Sequence, residues 1–403
     1  MLNIQFANRF ETLSDLLVER IGASTGSVFS EDQVIVPSAA IKRRLTLELA
    51  RRHGICANVR FSYLARWLWQ QIGRVVPGVQ DESPFDASIL GWRVYAAFGD
   101  APWTRPHRRL AAYLEQSDPV MRFELAMRVA GLFDQYITYR PEWLAAWARS
   151  EFVDLGSSGA SIKADQEWQA ALWRRLSEDV GAIERHPVSA FVQALEAPAG
   201  ETGAWTALPP SVHVFSLPTM PPLHLGLLQS LARRIDVQVY ALNPCQEYWF
   251  EVVDRRRLAD LAAQGKAEHH EVGHRLLAAW GQQTQSQLTL LVDAAGDAAV
   301  DDARFEANPG TRRLARLQNS ILDMADLAPG SIGEGKPGDP DGVDRSIEIH
   351  VCHSLTREIE VLQDRLLALF AHADAPALAD VLVVTPDLDA AAPLIDEIGR
   401  AHV

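Results

Sequence analysis

The chain has 403 residues and a formal net charge of −14, with 48% hydrophobic and 22% charged residues. This composition is typical of an ordinary globular protein, and the length is sufficient for two or three domains. The acidic balance argues against a nucleic-acid binder that relies on overall positive charge, although it permits a locally basic channel.

The cysteines and the apolar segments indicate a cellular compartment. Cys56, Cys245 and Cys352 are odd in number and widely spaced, which favours a reducing compartment over a disulfide framework. No apolar run approaches the length of a membrane span, and the first residues lead into a predicted strand without a signal peptide. We therefore expect a cytoplasmic protein without a membrane partner.

The pattern of elements predicts an α/β domain with a long interruption. Residues 1–82 form its first part, with short strands expected at 3–6, 34–36 and 59–61, each followed by a helix. Residues 83–200 have a helical pattern throughout. The α/β pattern returns at 201–327, with strands at 212–215 and 237–242 around a helix at 223–234. This order predicts a parallel-sheet domain that carries a large all-α insertion.

The last part of the chain predicts the start of a second α/β domain. Residues 328–345 are rich in glycine and proline and read as a linker. Residues 346–403 then predict strands at 347–351 and 381–384 on either side of a helix at 357–370. One such unit cannot easily bury both faces of a sheet. Either it completes itself against the first domain, or the chain is the N-terminal piece of a longer protein, which we favour.

We call residues 133–147 the aromatic–arginine block, because five aromatic residues surround Arg140 there. The helical spacing of Leu125, Val129, Leu132 and Tyr136 points one face inward, and Asp134 lies off that face. Pro141 ends one helix and suits the first turn of the next, so the chain turns at Arg140. The spacing alone leaves two interpretations open: an aromatic core with a surface arginine, or a surface that stacks single-stranded bases.

Motifs for ATP binding are missing where this topology would place them. The loops after the first two predicted strands, residues 7–12 and 37–42, contain no glycine and no G-x-x-x-x-G-K-[ST] pattern. The sequence therefore predicts an α/β domain without an ATP site. An ATP-dependent helicase with a degenerate phosphate loop remains an alternative.

Residues 270–274 match the H-E-x-x-H pattern of zinc hydrolases, in which two histidines one helical turn apart hold the metal and the glutamate acts as base. Gly265 and Gly273 weaken a helix here, and no third ligand follows at a suitable spacing. We keep zinc hydrolysis through His270, Glu271 and His274 only as a minor alternative.

Polar, cationic and aromatic residues follow two of the predicted strands. One group comes after residue 36 and the other after residue 61; they are Pro37, Ser38, Lys42, Arg43 and Arg44, and Ser62, Tyr63, Arg66 and Trp69. Open α/β sheets bind ligands beyond the carboxyl ends of their strands. Such residues suit a single nucleic-acid strand held by stacking and phosphate contacts. Trp67 and Trp69 cannot point in one direction, because residues two apart on a helix diverge.

Several segments resemble the gamma subunits of bacterial exodeoxyribonuclease V, the RecC family. Three are long and specific, and Asn8-Arg9 after the first strand is a short fourth. The long ones are residues 133–144 in the aromatic–arginine block, residues 243–249 with Asn-Pro-Cys and Tyr-Trp, and residues 351–362 with Val-Cys-His-Ser before Arg-Glu-Ile-Glu-Val-Leu.

The resemblance implies a superfamily 1 helicase-like fold that lacks an ATP site. In this family the gamma subunit is not the catalyst of the helicase-nuclease. It splits duplex DNA, guides the single strands, and scans the 3′-ended strand for the sequence Chi, in double-strand break repair and recombination. The partners so implied are DNA, a RecB-like beta subunit and a RecD-like alpha subunit. No cofactor is expected in this chain, since the partners use ATP and magnesium.

The residues that follow the strands, together with the resemblance, give the candidate nucleic-acid-binding residues Ser38, Arg43, Tyr63, Trp69, Leu132, Asp134 and Arg140. Trp69, Leu132, Asp134 and Arg140 match residues with which family members read Chi. Where those members carry glutamine, threonine and glutamine, this chain has Pro37, Ala39 and Arg43, and at Tyr63 and Gly131 they carry leucine and aspartate. Proline and alanine side chains cannot form the hydrogen bonds of an amide or hydroxyl. Recognition of the same sequence therefore does not follow.

Overall fold

A computed structural model describes residues 1–22, 31–79, 83–153, 160–179, 187–197, 203–268, 270–296, 300–327 and 344–401. The strands, in chain order, are β1 (Leu2–Ala7), β2 (Asp32–Ile35), β3 (Val59–Ser62), β4 (Ser211–Phe215), β5 (Asp236–Leu242) and β6 (Val300–Arg304). The helices up to β4 are α1 (Phe10–Gly22), α2 (Ala39–His53), α3 (Leu64–Val75), α4 (Ala87–Phe98), α5 (Ala101–Thr104), α6 (Arg108–Glu115), α7 (Pro119–Tyr139), α8 (Pro141–Ala148), α9 (Ala160–Asp179) and α10 (Pro187–Glu196).

The later helices are α11 (Pro222–Ala232), α12 (Arg255–Ala263), α13 (Arg275–Trp280), α14 (Gln282–Ala295), α15 (Arg313–Leu322), α16 (Leu355–Phe370) and α17 (Leu388–Ala401). Short 3-10 turns lie at Gly203–Ala207 and Leu378–Asp380. Several boundaries have a local cause. Asp118 caps the start of α7 just before Pro119, and α2 ends at Gly54, whose φ of 80° suits glycine. No helix in the described ranges is long and apolar enough to cross a membrane.

The described strands form one six-stranded parallel sheet in the order β3-β2-β4-β5-β1-β6. The predicted parallel α/β sheet and its first five strands are confirmed. β6, which pairs beside β1, is not among the strands that the sequence predicts. Its Val-Asp-Asp-Ala-Arg sequence has no apolar alternation, so only pairing with β1 reveals it as a strand.

Both faces of the sheet are covered by apolar side chains. The larger cluster joins one face to α3, α10, α11, α13 and α14, with Trp67 and Trp249 fully buried. A smaller cluster lies between the other face and helices α1 and α2, and it includes Leu13, Leu45 and Phe215. Two covered faces explain why the strands read as short apolar runs.

Between β3 and β4 the described chain is helical, as the sequence predicts. Its core is formed mainly by α4, α7, α8 and α9, with α4 packed along α7. Phe133, Trp147 and Trp173 are buried there, and the rings of Phe133 and Trp173 stack with centroids 5.8 Å apart. Helices α4, α7, α8 and α9 thus have a core separate from the two that cover the sheet, whereas α3 and α10 pack on the sheet.

The chain divides into two compact units, one of residues 1–308 and 318–326, the other of residues 309–317 and 327–403. In the second unit α16 contacts α17, and Ile359 of α16 and Ala391 of α17 are buried. The strands predicted at 347–351 and 381–384 are wrong, because the structure assigns no strand to those residues. Their apolar side chains are largely exposed, Val351 by 96%. Among the described residues the sheet contains no strand from this unit, so these segments lack a ladder partner there. Most of the predicted linker, 328–343, lies outside the described residues.

Candidate nucleic-acid interface

The two segments predicted to follow neighbouring strands are brought together at one edge of the sheet. β2 and β3 pair in parallel, with Ile35 opposite Ser62, and the backbone N–H of Val36 donates to the carbonyl of Ser62 at 3.0 Å. Both strands end here, and α2 and α3 begin a few residues later. We call this region the β2–β3 rim, comprising residues 36–44 and 60–70.

An open pocket of about 350 Å³ lies in the β2–β3 rim. Val36 and Phe61, at the ends of the two strands, are among its lining residues. Polar and cationic side chains line the rest, namely Lys42, Arg60, Ser62, Tyr63, Arg66 and Gln70. The pocket therefore combines three cations with two aromatic rings, in a chain whose net charge is −14. Of the predicted binding residues, Tyr63 is among those that line it.

The cations of the pocket differ in their ionic partners. Arg60 forms an ion pair with Glu31, with 3.1 Å between Nε and Oε2. Lys42 and Arg66 are exposed, and in the described parts of the chain neither has a carboxylate partner. No carboxylate is among the side chains that line the pocket, which are all described residues. The local potential is therefore positive despite the charge of the whole chain.

Two other predicted residues, Ser38 and Arg43, lie at the start of α2, the helix that contributes Lys42 to this pocket. The Ser38 hydroxyl oxygen accepts a hydrogen bond from the backbone N–H of Ile41 at 3.3 Å and caps the helix. That bond gives Ser38 a structural role, while its hydroxyl hydrogen can still be donated. Arg43 is exposed one residue after Lys42. Arg44, a turn before Glu48, is bound to that carboxylate at 2.9 Å.

Trp69 and Trp67 diverge as their spacing on α3 requires. Trp67 is fully buried in the larger core cluster. Trp69 is half-buried, and part of its side chain packs against the same cluster. Tyr63, just before α3, is 53% exposed. Tyr63 and part of Trp69 thus remain accessible to a ligand.

Most rings of the aromatic–arginine block belong to the helical core. Phe133 and Trp147 are buried, and Tyr136 packs against both while its hydroxyl donates to Gln169 Oε1 at 3.0 Å. For these rings the core interpretation is the correct one. The turn is as predicted: α7 ends at Tyr139 and α8 begins at Pro141.

Arg140 is exposed at that turn. Its guanidinium carbon lies 5.7 Å from the centroid of the Trp143 ring, and Nη1 donates to the carbonyl of Tyr139 at 3.0 Å. This cation–π contact holds the guanidinium beside a half-buried ring. Arg140 can still present N–H donors to a ligand.

Asp134 and Leu132 lie on the same helix, α7. Asp134 is exposed, and partial desolvation, then the negative charge of Asp86, raises the pKa of its carboxyl above the usual value. Leu132 is half-buried. No ion pair joins Asp134 to Arg140 in the part of the chain that the structure describes. The predicted residues therefore form two groups, one at the β2–β3 rim and one on α7 and at its end, and the pocket is lined by the first group alone.

The loop after β1, where a phosphate cradle would lie, is closed by another segment. The side-chain amide of Asn8 donates to the carbonyl of Glu306 at 2.8 Å, and Arg9 donates to the carbonyl of Ala307 at 3.2 Å. The hydroxyl of Thr12 donates to the Glu306 carboxylate at 3.0 Å. A carboxylate thus occupies the loop, and it would repel a nucleotide phosphate.

The H-E-x-x-H segment does not form the helix that the zinc alternative needs. Glu271 lies in an isolated bridge with Val252, and His274 is the N-cap of α13. Nδ1 of His274 accepts from the backbone N–H of Leu276 at 3.2 Å, and Nε2 lies 3.1 Å from Ser320 Oγ. Both ring nitrogens therefore have hydrogen-bond partners, Nδ1 at the start of α13 and Nε2 on α15. The zinc alternative is wrong in its geometry.

Two pocket residues were not picked out from the sequence. Arg60 lies inside β3, in a stretch we read only as apolar, and Gln70 lies one helical turn after Arg66. The i, i+4 spacing of Arg66 and Gln70 was a signal that could have been used. Arg60 offered no such signal, because its place depends on how β3 ends beside β2.

Comparison with known proteins gives consistent matches. Residues 2–324 match the family model described as RecC, N-terminal domain. The RecBCD enzyme subunit RecC of Escherichia coli is 29% identical over 99% of this chain and 38% of its own length. The corresponding subunits of Haemophilus influenzae and Mycolicibacterium smegmatis are 27% and 28% identical, over 99% and 98% of this chain and 39% and 34% of theirs. The chain thus spans well under half the length of these relatives. It belongs to the RecC family, of which it carries the N-terminal domain.

Proposed function

We propose that this chain is a noncatalytic, DNA-binding part of a RecBCD-type helicase-nuclease, exodeoxyribonuclease V, that acts in double-strand break repair and recombination. In this role it helps to split the duplex, guides a single strand and scans it for a Chi-like sequence. Its partners are the 3′-ended strand, a RecB-like helicase-nuclease subunit and a RecD-like helicase subunit. We also propose that the protein is cytoplasmic and that its sheet domain has a helicase-like origin. ATP and magnesium are used by the partner subunits.

The observation that carries the proposal is the β2–β3 rim. A parallel sheet offers its ligand site beyond the carboxyl ends of its strands, and here that edge presents Lys42, Arg66 and Tyr63 around one pocket. Cations beside an accessible ring are the combination that binds a single strand without requiring a particular sequence. The three relatives compared above are each the RecC subunit of a RecBCD enzyme, which supports the same assignment.

The loop after β1 supports a noncatalytic role. Asn8, Arg9 and Thr12 are held by residues 306 and 307, so that loop is not free to enclose a triphosphate. The alternative, an ATP-dependent helicase with a degenerate phosphate loop, predicts that magnesium–ATP binds this chain and raises its melting temperature. We expect no such shift at millimolar nucleotide, and a saturable shift would favour the helicase.

The DNA-binding role is tested by crosslinking a single strand to the assembled complex. Trp69→Ala and Arg140→Ala should each lower the yield of strand crosslinks while complex formation stays intact. The matched controls are Trp280→Ala and Arg105→Ala, which remove an exposed tryptophan and an exposed arginine elsewhere. Unchanged crosslinking in both test variants would refute the role assigned to Trp69 and Arg140.

A further inference from the structure

We infer that the pocket of the β2–β3 rim is a phosphate subsite, in which Lys42 and Arg66 hold one or two backbone phosphates of the single strand. The inference rests on the proposed function and adds a ligand chemistry and a division of labour to it. The pocket would bind the strand independently of sequence, because phosphates are the same at every nucleotide.

The first argument is charge. Lys42 and Arg66 face the pocket from α2 and α3, and within the described residues neither is neutralised by a carboxylate. Arg60 supplies a third guanidinium, which Glu31 partly neutralises at 3.1 Å. Two uncompensated cations in a strongly acidic chain give an anion its lowest electrostatic energy locally. A polyanionic strand would be repelled from most of the remaining surface.

The second argument is the start of α3. Tyr63 precedes the helix and provides no side-chain cap, unlike Ser38 at the start of α2. The first backbone N–H groups of α3 therefore lack the side-chain acceptor that usually satisfies one of them. A helix start without a side-chain cap favours an anion, here on the same turn as Arg66.

The third argument is the position of the ring. Tyr63 lines the same pocket and is more than half exposed. A nucleotide whose phosphate lies against Lys42 and Arg66 would have its base within reach of an aromatic ring. Tyr63 then contributes stacking and the two cations contribute charge neutralisation, and these two contributions depend differently on salt.

Salt dependence is therefore the test. Binding of a fluorescent oligothymidine strand to the assembled complex is measured over a salt series for the wild type, the double variant Lys42→Gln/Arg66→Gln, and Tyr63→Ala. For single strands the slope of log K against log salt changes by about 0.7 per phosphate contact. We expect the double variant to lose about 0.7–1.4 from the slope. Tyr63→Ala should weaken binding with an unchanged slope.

The control is Lys266→Gln/Arg105→Gln, which removes one lysine and one arginine that are exposed outside the pocket. This control should leave the slope unchanged. A general effect of net charge would instead change the slope in the control as well. A second experiment measures whether inorganic phosphate, without DNA, stabilises the protein against thermal unfolding. If phosphate stabilises the wild type but not the double variant, and the DNA slope is unaffected, the pocket holds a free anion and the strand assignment is overturned.

The remaining outcomes separate this inference from the proposed function. An unchanged slope in the double variant, with normal strand binding by the wild type, overturns the phosphate subsite and leaves the proposed function standing. Failure of the wild-type complex to engage the strand through this chain overturns both. The substituted side chains are exposed, and equal melting temperatures of the variants and the wild type will confirm that folding is intact.

Discussion

Asn8 and Glu306 exchange two hydrogen bonds, although 298 positions separate them in the sequence. Asn8 Nδ2 donates to the Glu306 carbonyl at 2.8 Å, and the Glu306 backbone N–H donates to Asn8 Oδ1 at 3.0 Å. The pair ties the loop after β1 to the segment after β6.

Replacing Asn8 with alanine should remove both bonds at once. We expect Asn8→Ala to lower the free energy of unfolding by about 1–2 kcal/mol, since two exposed hydrogen bonds are lost. Urea unfolding followed by circular dichroism measures this. Asn3→Ala is the matched control, because it loses only one 3.4 Å bond to Asp236, and it should change stability by less than about 0.5 kcal/mol. Equal effects of the two variants would contradict a special role for the Asn8–Glu306 pair.

In the aromatic–arginine block, replacing a buried ring with alanine should lower the free energy of unfolding far more than replacing an exposed ring. Phe133 is fully buried, so Phe133→Ala should cost about 3–5 kcal/mol through lost burial and the cavity that remains. Tyr139, only six residues later, is 51% exposed, and Tyr139→Ala should cost less than about 1 kcal/mol. Denaturant unfolding of both variants tests this. Similar losses would show that the block is not divided between core and surface as the structure has it.

His213 should make the protein sensitive to acid. It is buried in β4, with Nδ1 3.0 Å from the Tyr240 hydroxyl, and burial, together with the charge of Arg20, lowers its pKa to about 4. The unfolded chain takes up this proton near pH 6.5, before the folded chain does. The contribution of His213 is therefore fully present above pH 6.5 and is lost as the pH falls towards 4, to a total of about 3 kcal/mol.

His213→Gln removes the titration while retaining a polar side chain. The loss of unfolding free energy between pH 7 and pH 4.5 should be about 2–3 kcal/mol smaller in this variant than in the wild type. Urea unfolding at a series of pH values measures the difference. Parallel pH profiles for the two proteins would show that His213 is not the group responsible.

Replacing either of two glycines with alanine should change the stability of the protein, in opposite directions. A Cβ at Gly281 would lie 2.8 Å from Trp249 Cζ3 and 2.5 Å from the Leu277 carbonyl oxygen. Trp249 is fully buried and its Nε1 donates to Asn243 at 2.9 Å, so it cannot move aside easily. Gly281→Ala should therefore cost about 1–3 kcal/mol.

Gly226 provides the comparison, since it lies inside α11 with nothing within 4 Å of its would-be Cβ. Gly226→Ala should stabilise the protein by about 0.5–1 kcal/mol through helix propensity. Thermal melting of both variants gives the two signs directly. A neutral Gly281→Ala would mean that the Trp249 packing is looser than the structure shows.

The sequence predicts the parallel sheet and the rim well, for a physical reason. Strands such as β2 and β5 are buried on both faces and therefore appear as apolar runs, and residues just after parallel strands must share one edge. This is why Lys42, Tyr63 and Arg66 could be grouped before their positions were known. The pocket also uses Arg60, whose contribution depends on the pairing of β2 with β3, and pairing is not encoded in any one segment.

Other features depended on contacts far along the chain. β6 is a strand because it pairs with β1. Its two aspartates interrupt the apolar pattern by which a strand is recognised in a sequence. The segments at 347–351 and 381–384 have strand-like sequences, but no neighbouring strand pairs with them in the described structure. The aromatic–arginine block could not be divided by spacing alone, because Phe133 and Tyr139 differ only in what packs against them.

The position of β1 has a consequence for how the protein is made. Among the six strands of the described sheet it is synthesised before the others, yet its neighbours are β5, from Asp236, and β6, from Val300. About 230 residues separate β1 from its first partner, and the ribosome needs roughly 10–50 s to synthesise them. During that time the helices between β3 and β4 can complete their local contacts, whereas β1 has neither edge paired. The sheet must therefore close late, around a strand that left the ribosome first.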